Sequence, residues 1–161
     1  MFIELQNLYT ENIDKNTLTH YCDRLLADNL IMFYAFIEHN KDLNPDNTAK
    51  KSHYHLMIDF NRPDSHDSST QIIVSNNIIQ EIYKLNNIDI TKNKNYIRRV
   101  KKATCFSNYF IHKYDVEKYQ YSVDEIVTSD KDVLQALLKQ KNQNTEPLND
   151  VLNELVDTCL I

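Results

Sequence analysis

The sequence contains no glycine among its 161 residues, whereas average usage of about 7% would supply roughly eleven. Phosphate-cradling loops, dinucleotide-binding fingerprints and nucleophile elbows need glycine, because their backbone approaches a ligand closely or takes a positive φ angle. The sequence therefore excludes these three kinds of site. Asparagine must serve at turns that need a left-handed residue, and we expect Asn76–Asn77 and Asn86–Asn87 to do so.

Cysteines and long apolar segments are also scarce. Cys22, Cys105 and Cys159 are far apart and odd in number, which argues against a disulfide framework or a zinc knuckle. The longest apolar run, residues 30–37, is much shorter than the roughly 18 residues of a membrane span, and the first residues lack the cationic region of a signal peptide. We therefore expect a cytoplasmic protein with reduced thiols and no membrane partner.

Acidic residues outnumber basic ones, and the formal net charge is -5. Basic residues are nonetheless concentrated between Thr91 and Lys113, a stretch without any acid. Such a local concentration of positive charge can bind the phosphates of a nucleic acid. A run of basic residues by itself, however, is more often a solvent-exposed surface.

Hydrophobic periodicity predicts one α+β domain followed by a helical tail. The apolar pattern indicates strands at 2–8, 30–39, 53–60 and 96–100, and helices at 12–28, 67–87 and 103–114. The first six elements, β-α-β-β-α-β, match the ferredoxin-like (split βαβ) arrangement, an antiparallel sheet with helices on one face. We expect residues 1–127 to form this domain and residues 128–161 to form a C-terminal helical hairpin or an oligomerisation tail.

Three histidines and an aspartate flank a predicted hairpin. Side chains alternate along a strand, so His53 and His55 share one face. If the strand that ends at His39 pairs with the strand that begins at His53, His39 and Asp42 reach the same edge of the sheet. A His-x-His pair alone is more often a hydrogen-bonded pair, but four ligand-type groups in one place suit a divalent metal. Such a set could hold Zn²⁺, and a mixed nitrogen and oxygen set with open positions also suits Mn²⁺, Co²⁺ or Mg²⁺, so the residues alone do not choose the ion.

A tyrosine and a histidine follow the basic stretch. Tyr109 stands one helical turn before His112 if residues 103–114 form a helix, and its hydroxyl could meet a phosphate held by the metal. Because the chain has ten tyrosines, amphipathic packing is the simpler interpretation of any single one.

Three ordered motifs resemble the replication initiator (Rep) proteins of rolling-circle plasmids, which are members of the HUH endonuclease superfamily. The motifs are "HNKD", "KKSHYHLMIDF", and "NYFIHK" followed by "DVEKYQYSVDEI". The resemblance implies that His39, Asp42, His53 and His55 bind a divalent metal and that Tyr109 is the nucleophile. The resemblance leaves the role of His112 open, and we expect His112 to contact the metal ligands without binding the ion itself.

The resemblance also implies a reaction and its partners. One strand of single-stranded or hairpin DNA at a replication origin would be nicked, leaving a 5′-phosphotyrosyl link and a 3′-hydroxyl that primes synthesis. Host replication proteins would then be recruited, and the protein could form a homo-oligomer. The candidates for phosphate contact are Lys50, Lys51, Arg98, Arg99, Lys101 and Lys102.

Three other functions are consistent with the same residues. A relaxase or a transposase of this fold would process a different DNA end. A regulator with this fold would bind DNA without cutting it. A structural zinc protein would use the histidines for folding only.

Overall fold

The computed structural model describes residues 2–60, 68–90, 97–99 and 108–139. Its strands are β1 (Phe2–Tyr9), β2 (Ile31–His39), β3 (His53–Phe60), β4 (Ile97–Arg99) and β5 (Val127–Thr128). Its helices are α1 (Lys15–Ala27), α2 (Ser68–Leu85) and α3 (Lys131–Lys139), with a 3-10 helix at Val123–Glu125. None of the helices in these ranges has the length and apolar character needed to cross a bilayer.

The strands form one antiparallel sheet in the order β4-β1-β3-β2-β5. The first four positions reproduce the ferredoxin-like order, so the predicted α+β class and split βαβ arrangement are confirmed. The short strand β5 extends the sheet beyond β2, which the sequence pattern did not predict.

Helices α1 and α2 cover one face of this sheet. Their apolar side chains share a core with alternate residues of β3. The residues in contact are Leu18, Tyr21, Cys22 and Leu25 of α1, Ile78, Ile79, Ile82 and Tyr83 of α2, and Tyr54, Leu56, Ile58 and Phe60 of β3. Burying each large apolar side chain contributes roughly 1.5–3 kcal/mol, so this cluster is the main source of stability.

The opposite face carries a second, smaller core. Phe33, Ala35, Ile37 and Met57 of the sheet pack there against Phe110, Tyr121, Ile126 and Leu134. The predicted placement of helices on one face therefore holds for α1 and α2, while residues within the range 108–139 cover the other face. The same face carries His39, His53 and His55, so this cover surrounds the predicted metal ligands.

Three helical segments of this glycine-free chain end with asparagine or histidine in the left-handed conformation. Asn29 follows α1 with φ 55°, Asn87 follows α2 with φ 57°, and His112 follows the helical residues 108–110 with φ 55°. At each end the next N–H reaches back to a carbonyl five residues earlier, as in Lys113 to Asn108 at 3.1 Å. This is the Schellman cap, which glycine normally occupies.

Two predictions about local structure are therefore wrong in part. Asn76 and Asn77 lie inside α2 instead of forming a turn, and of the second predicted pair Asn87 alone has a positive φ. The predicted helix 103–114 gives way to turns after Phe110, because His112 leaves the helical region. Residues 103–107 of this predicted helix and residues 140–161 of the predicted tail lie outside the described residues.

Candidate metal centre

Three of the four predicted ligands meet at the loop end of the β2–β3 hairpin, where β2 ends and β3 begins. His39 and His53 are direct cross-strand partners, and His55 follows His53 on the same face. All three are buried, and one ring nitrogen from each lies within 4.8 Å of the others. The pairing occurs as predicted, because a turn at Asn47 and Asp46 returns the chain to form an antiparallel hairpin.

The hydrogen bonds of His53 and His55 determine where their protons are. His53 Nδ1 lies 2.8 Å from the carbonyl oxygen of Lys51, and His55 Nδ1 lies 3.0 Å from Glu4 Oε1. A carbonyl and a carboxylate accept, so each Nδ1 carries the hydrogen and each Nε2 of the neutral rings keeps a lone pair. The two Nε2 atoms face each other at 3.2 Å. Two lone pairs at that distance repel unless a proton or a cation lies between them, so the pair fits a metal ion.

Burial also keeps these imidazoles neutral. Desolvation lowers the pKa of His53. Desolvation, and then electrostatic repulsion from His39 and His53, lowers the pKa of His55 well below its ordinary value. Neutral imidazole is the form that binds a metal, so neither ring has to lose a proton at neutral pH.

Glu4 is a buried acid that the sequence reasoning missed. It lies in β1 opposite Met57, on the sheet face that carries His55, and only 2% of it is exposed. The signal was present in β1, because Ile3 and Leu5 face the helices and the acid between them must face the other way.

Asp42 lies on the far side of His39 from the other two histidines. Its Oδ2 is 3.3 Å from His39 Nδ1, and its Oδ1 accepts a hydrogen bond of 3.1 Å from the Tyr121 hydroxyl. Burial disfavours the Asp42 carboxylate, but the hydrogen bond and charge of His39 outweigh this and hold its pKa below the ordinary value. The possible metal-ligand atoms form two sets. One set contains Asp42 with His39 and His112, and the other contains His39, His53 and His55. This position suits a carboxylate that orients a ligating histidine.

His39 connects the histidine cluster to the segment that carries Tyr109. Its Nε2 lies 2.8 Å from the carbonyl oxygen of Phe110, so this nitrogen carries a hydrogen that it donates to the carbonyl. An ion that binds His39 through Nε2 must replace this hydrogen bond.

Tyr109 lies beside the cluster and is open to solvent. Its ring centre is 5.5 Å from that of His55 and 6.4 Å from that of His39, and 38% of the residue is exposed. The Lys118 ammonium lies 5.5 Å from the Tyr109 ring centre. An accessible phenol therefore stands next to a buried group of metal-ligand side chains.

His112 lies beside His39 and Tyr109. It is buried, its Nδ1 donates to the Tyr119 carbonyl at 2.8 Å, and its ring centre is 4.6 Å from that of His39. Desolvation lowers its pKa, and within the described ranges its Nε2 has no hydrogen-bond partner. Tyr109 thus belongs to the helical residues 108–110, and His112 caps their end. The ring centres of the two residues are 5.5 Å apart.

The basic residues that were predicted to contact DNA are described only in part. Lys50 and Lys51 are exposed, and Lys51 already contacts the Glu11 carboxylate and the face of the Tyr9 ring. Arg98 and Arg99 lie in the edge strand β4, while Lys101 and Lys102 fall outside the described residues. The structure adds Lys41, which the sequence reasoning did not select. Its ammonium donates to the Tyr119 hydroxyl at 2.8 Å.

Comparison with known proteins agrees with this geometry at the level of the family. The sequence model of the family described as "Plasmid replication protein, origin binding domain" matches residues 6–134 of the chain. That range includes the histidine cluster, Asp42 and Tyr109. A search of the curated proteins finds no match.

Proposed function

This chain belongs to the family of plasmid replication proteins with an origin binding domain, and we propose that it starts replication by nicking one strand of the origin with Tyr109. Plasmid replication and binding to origin DNA follow from the family. The proposal adds a metal-dependent reaction in which a 5′-phosphotyrosyl link forms and a 3′-hydroxyl is released.

The observation that carries this proposal is the pair of Nε2 lone pairs that face each other at 3.2 Å beside an exposed tyrosine. We propose that His39, His53 and His55 hold a divalent ion, Mn²⁺ or Mg²⁺, with Zn²⁺ or Co²⁺ as alternatives. Such an ion polarises a phosphate and stabilises the charge that develops on its oxygens. Asp42 stays a predicted fourth ligand, although its place beside His39 Nδ1 favours an orienting role.

Tyr109 supplies the nucleophile in this proposal. Its phenolic oxygen attacks the phosphorus and loses its proton, the bond from phosphorus to the 3′ oxygen breaks, and that oxygen gains a proton. The 5′ end stays on Tyr109, so the reverse attack by a 3′-hydroxyl rejoins the strand. The Lys118 ammonium, which pairs with the Asp115 carboxylate at 2.6 Å, lies 5.5 Å from the Tyr109 ring centre and adds a positive charge near the phenol.

DNA contacts would come from the basic residues around the site. Lys50, Lys51, Arg98, Arg99, Lys101 and Lys102 remain the proposed contacts to phosphate, independent of base sequence. We add the Lys41–Tyr119 pair, because an exposed aromatic ring beside a cation suits an unpaired base and its phosphate. Recruitment of host replication proteins and self-association through residues 128–161 stay predictions, as does the boundary at residue 127.

The test is formation of a covalent adduct. The protein is incubated with Mn²⁺ or Mg²⁺ and single-stranded oligonucleotides that cover its plasmid's origin, and products are separated under denaturing conditions. We expect a protein–DNA adduct that is lost with a chelator and in Tyr109→Phe. Tyr114→Phe is the matched control, because Tyr114 is 47% exposed and also has a lysine ammonium 5.5 Å from its ring centre.

The other outcomes contradict the proposal. An adduct that persists in Tyr109→Phe would assign the nucleophile to another residue. Binding of origin DNA without any adduct, at every metal tested, would identify a regulator that does not cut.

A further inference from the structure

We infer that Glu4 is a positioning residue for the metal centre: it sets the tautomer of His55 so that Nε2 presents its lone pair to the ion. The inference rests on the proposed metal binding. It concerns a residue outside the three motifs that suggested the site.

The contact joins two buried side chains from neighbouring strands. Glu4 is 2% exposed and His55 is 5% exposed, and Glu4 Oε1 lies 3.0 Å from His55 Nδ1. Since β1 pairs with β3 and Glu4 lies opposite Met57, the carboxylate and the imidazole occupy the same face of adjacent strands. The geometry is that of a carboxylate–histidine pair whose second nitrogen is left for a metal.

Stability alone is a poor explanation for an acid at this place. Glu4 is buried between two cross-strand partners, the buried apolar Met57 of β3 and Arg98 of β4. Burying a charged pair costs desolvation energy, and apolar side chains of similar size often serve folding as well or better. What the carboxylate supplies and an apolar residue cannot is an acceptor for the His55 Nδ1 hydrogen.

The negative charge has a second effect. The three proposed imidazole ligands are neutral when they bind, so they do not balance the charge of a divalent ion. A carboxylate hydrogen-bonded to His55 increases the basicity of the ligating nitrogen and places a compensating charge near the ion. Loss of the charge and loss of the acceptor should therefore have separable effects.

The test compares Mn²⁺ binding to the full chain, by isothermal titration calorimetry, across three variants. Glu4→Gln keeps an acceptor but removes the charge, and we expect affinity to fall about tenfold. Glu4→Leu removes both, and we expect a loss of up to about 100-fold. Glu38→Gln is the control, because Glu38 is a partly buried acid of β2 that accepts from Ser52 at 2.9 Å. It should bind Mn²⁺ like the unaltered chain.

A spectroscopic measurement separates positioning from a general structural role. Nitrogen-15 chemical shifts of the metal-free protein should show His55 with hydrogen on Nδ1, and Glu4→Leu should move that hydrogen to Nε2. If Glu4→Leu does not fold, the nearly isosteric Glu4→Gln still provides the affinity test.

The outcomes distinguish this inference from the proposed function. Unchanged Mn²⁺ affinity in a folded Glu4→Leu variant, while the unaltered chain binds Mn²⁺, would overturn the role of Glu4 and leave the metal centre intact. Hydrogen on Nε2 of His55 in the unaltered chain would also overturn it. Failure of the unaltered chain to bind any divalent ion would instead overturn the metal centre.

Discussion

The ring centre of Tyr109 lies 5.5 Å from that of His55, so an exposed phenol and a buried imidazole from distant parts of the chain share one site. His39 joins the two regions, because it pairs with His53 across the hairpin and donates a hydrogen bond to the carbonyl of Phe110. An ion that binds His39 Nε2 must displace the Phe110 carbonyl, so the helical residues 108–110, which include Tyr109, must move.

Replacing His55 should abolish metal binding and cleavage but leave origin binding largely intact. In His55→Gln the side-chain amide can still donate to Glu4, so folding should survive while a ligand is lost. Mn²⁺ affinity should fall by more than the roughly 10–100-fold that an outer partner costs. Calorimetry, the adduct assay and an origin-binding assay measure the three effects.

His20→Ala provides the control for this variant, because His20 is exposed on α1 and belongs to neither ligand set. Parallel loss of origin binding and of the cooperative unfolding transition in His55→Gln would mean that the histidines serve folding.

Replacing Asp42 distinguishes an orienting carboxylate from a ligand. If Asp42 only orients His39, Asp42→Asn should weaken Mn²⁺ binding by roughly 10–100-fold, and added Mn²⁺ should restore cleavage. Asp46→Asn is the control, because Asp46 lies in the same loop and accepts from Thr48. A loss as complete as that in His55→Gln would make Asp42 a ligand.

The backbone at His112 should favour glycine over alanine. His112 has φ 55° at the cap that follows Phe110, and a Cβ in this conformation costs roughly 1–2 kcal/mol that glycine avoids. Both His112→Gly and His112→Ala remove the buried imidazole, so their difference isolates the backbone effect. We expect His112→Gly to be more stable than His112→Ala by about 1 kcal/mol in urea unfolding. An alanine variant of equal or greater stability would contradict a left-handed cap.

The metal-free protein should lose stability as the pH falls below the ordinary histidine pKa of 6.5. Burial lowers the pKa of His53, His55 and His112, so between 6.5 and those lower values the unfolded chain binds more protons than the folded one. Each group then costs up to about 1.4 kcal/mol per pH unit within that window. Asp42, whose pKa is also lowered, acts in the same direction only near and below its ordinary value of 3.8.

Urea unfolding in the presence of a chelator at pH 7.5 and pH 5.5 measures this effect. The midpoint should be lower at pH 5.5, and an equal or higher midpoint would mean that folding does not lower the pKa of these histidines.

Much of the fold could be predicted because its signals are local. The alternation of β3 assigns Tyr54 and Leu56 to the core face and His53 and His55 to the other, and both assignments hold. The predicted helix 103–114 was wrong beyond Phe110, because periodicity does not reveal that a histidine takes a left-handed angle. Glycine usually marks such a helix end, and this chain has none.

The sequence by itself determined the antiparallel hairpin, the shared face of His53 and His55 and the arrival of His39 beside them, because strand alternation and pairing are short-range geometry. Tertiary structure alone decided that Glu4 reaches His55, that Asp42 turns toward Tyr121 and that Tyr109 lies beside the cluster. These contacts join residues far apart in the chain, and those of Asp42 and Tyr109 depend on how residues 108–139 pack on the sheet. Packing of this kind leaves no periodic trace in the sequence.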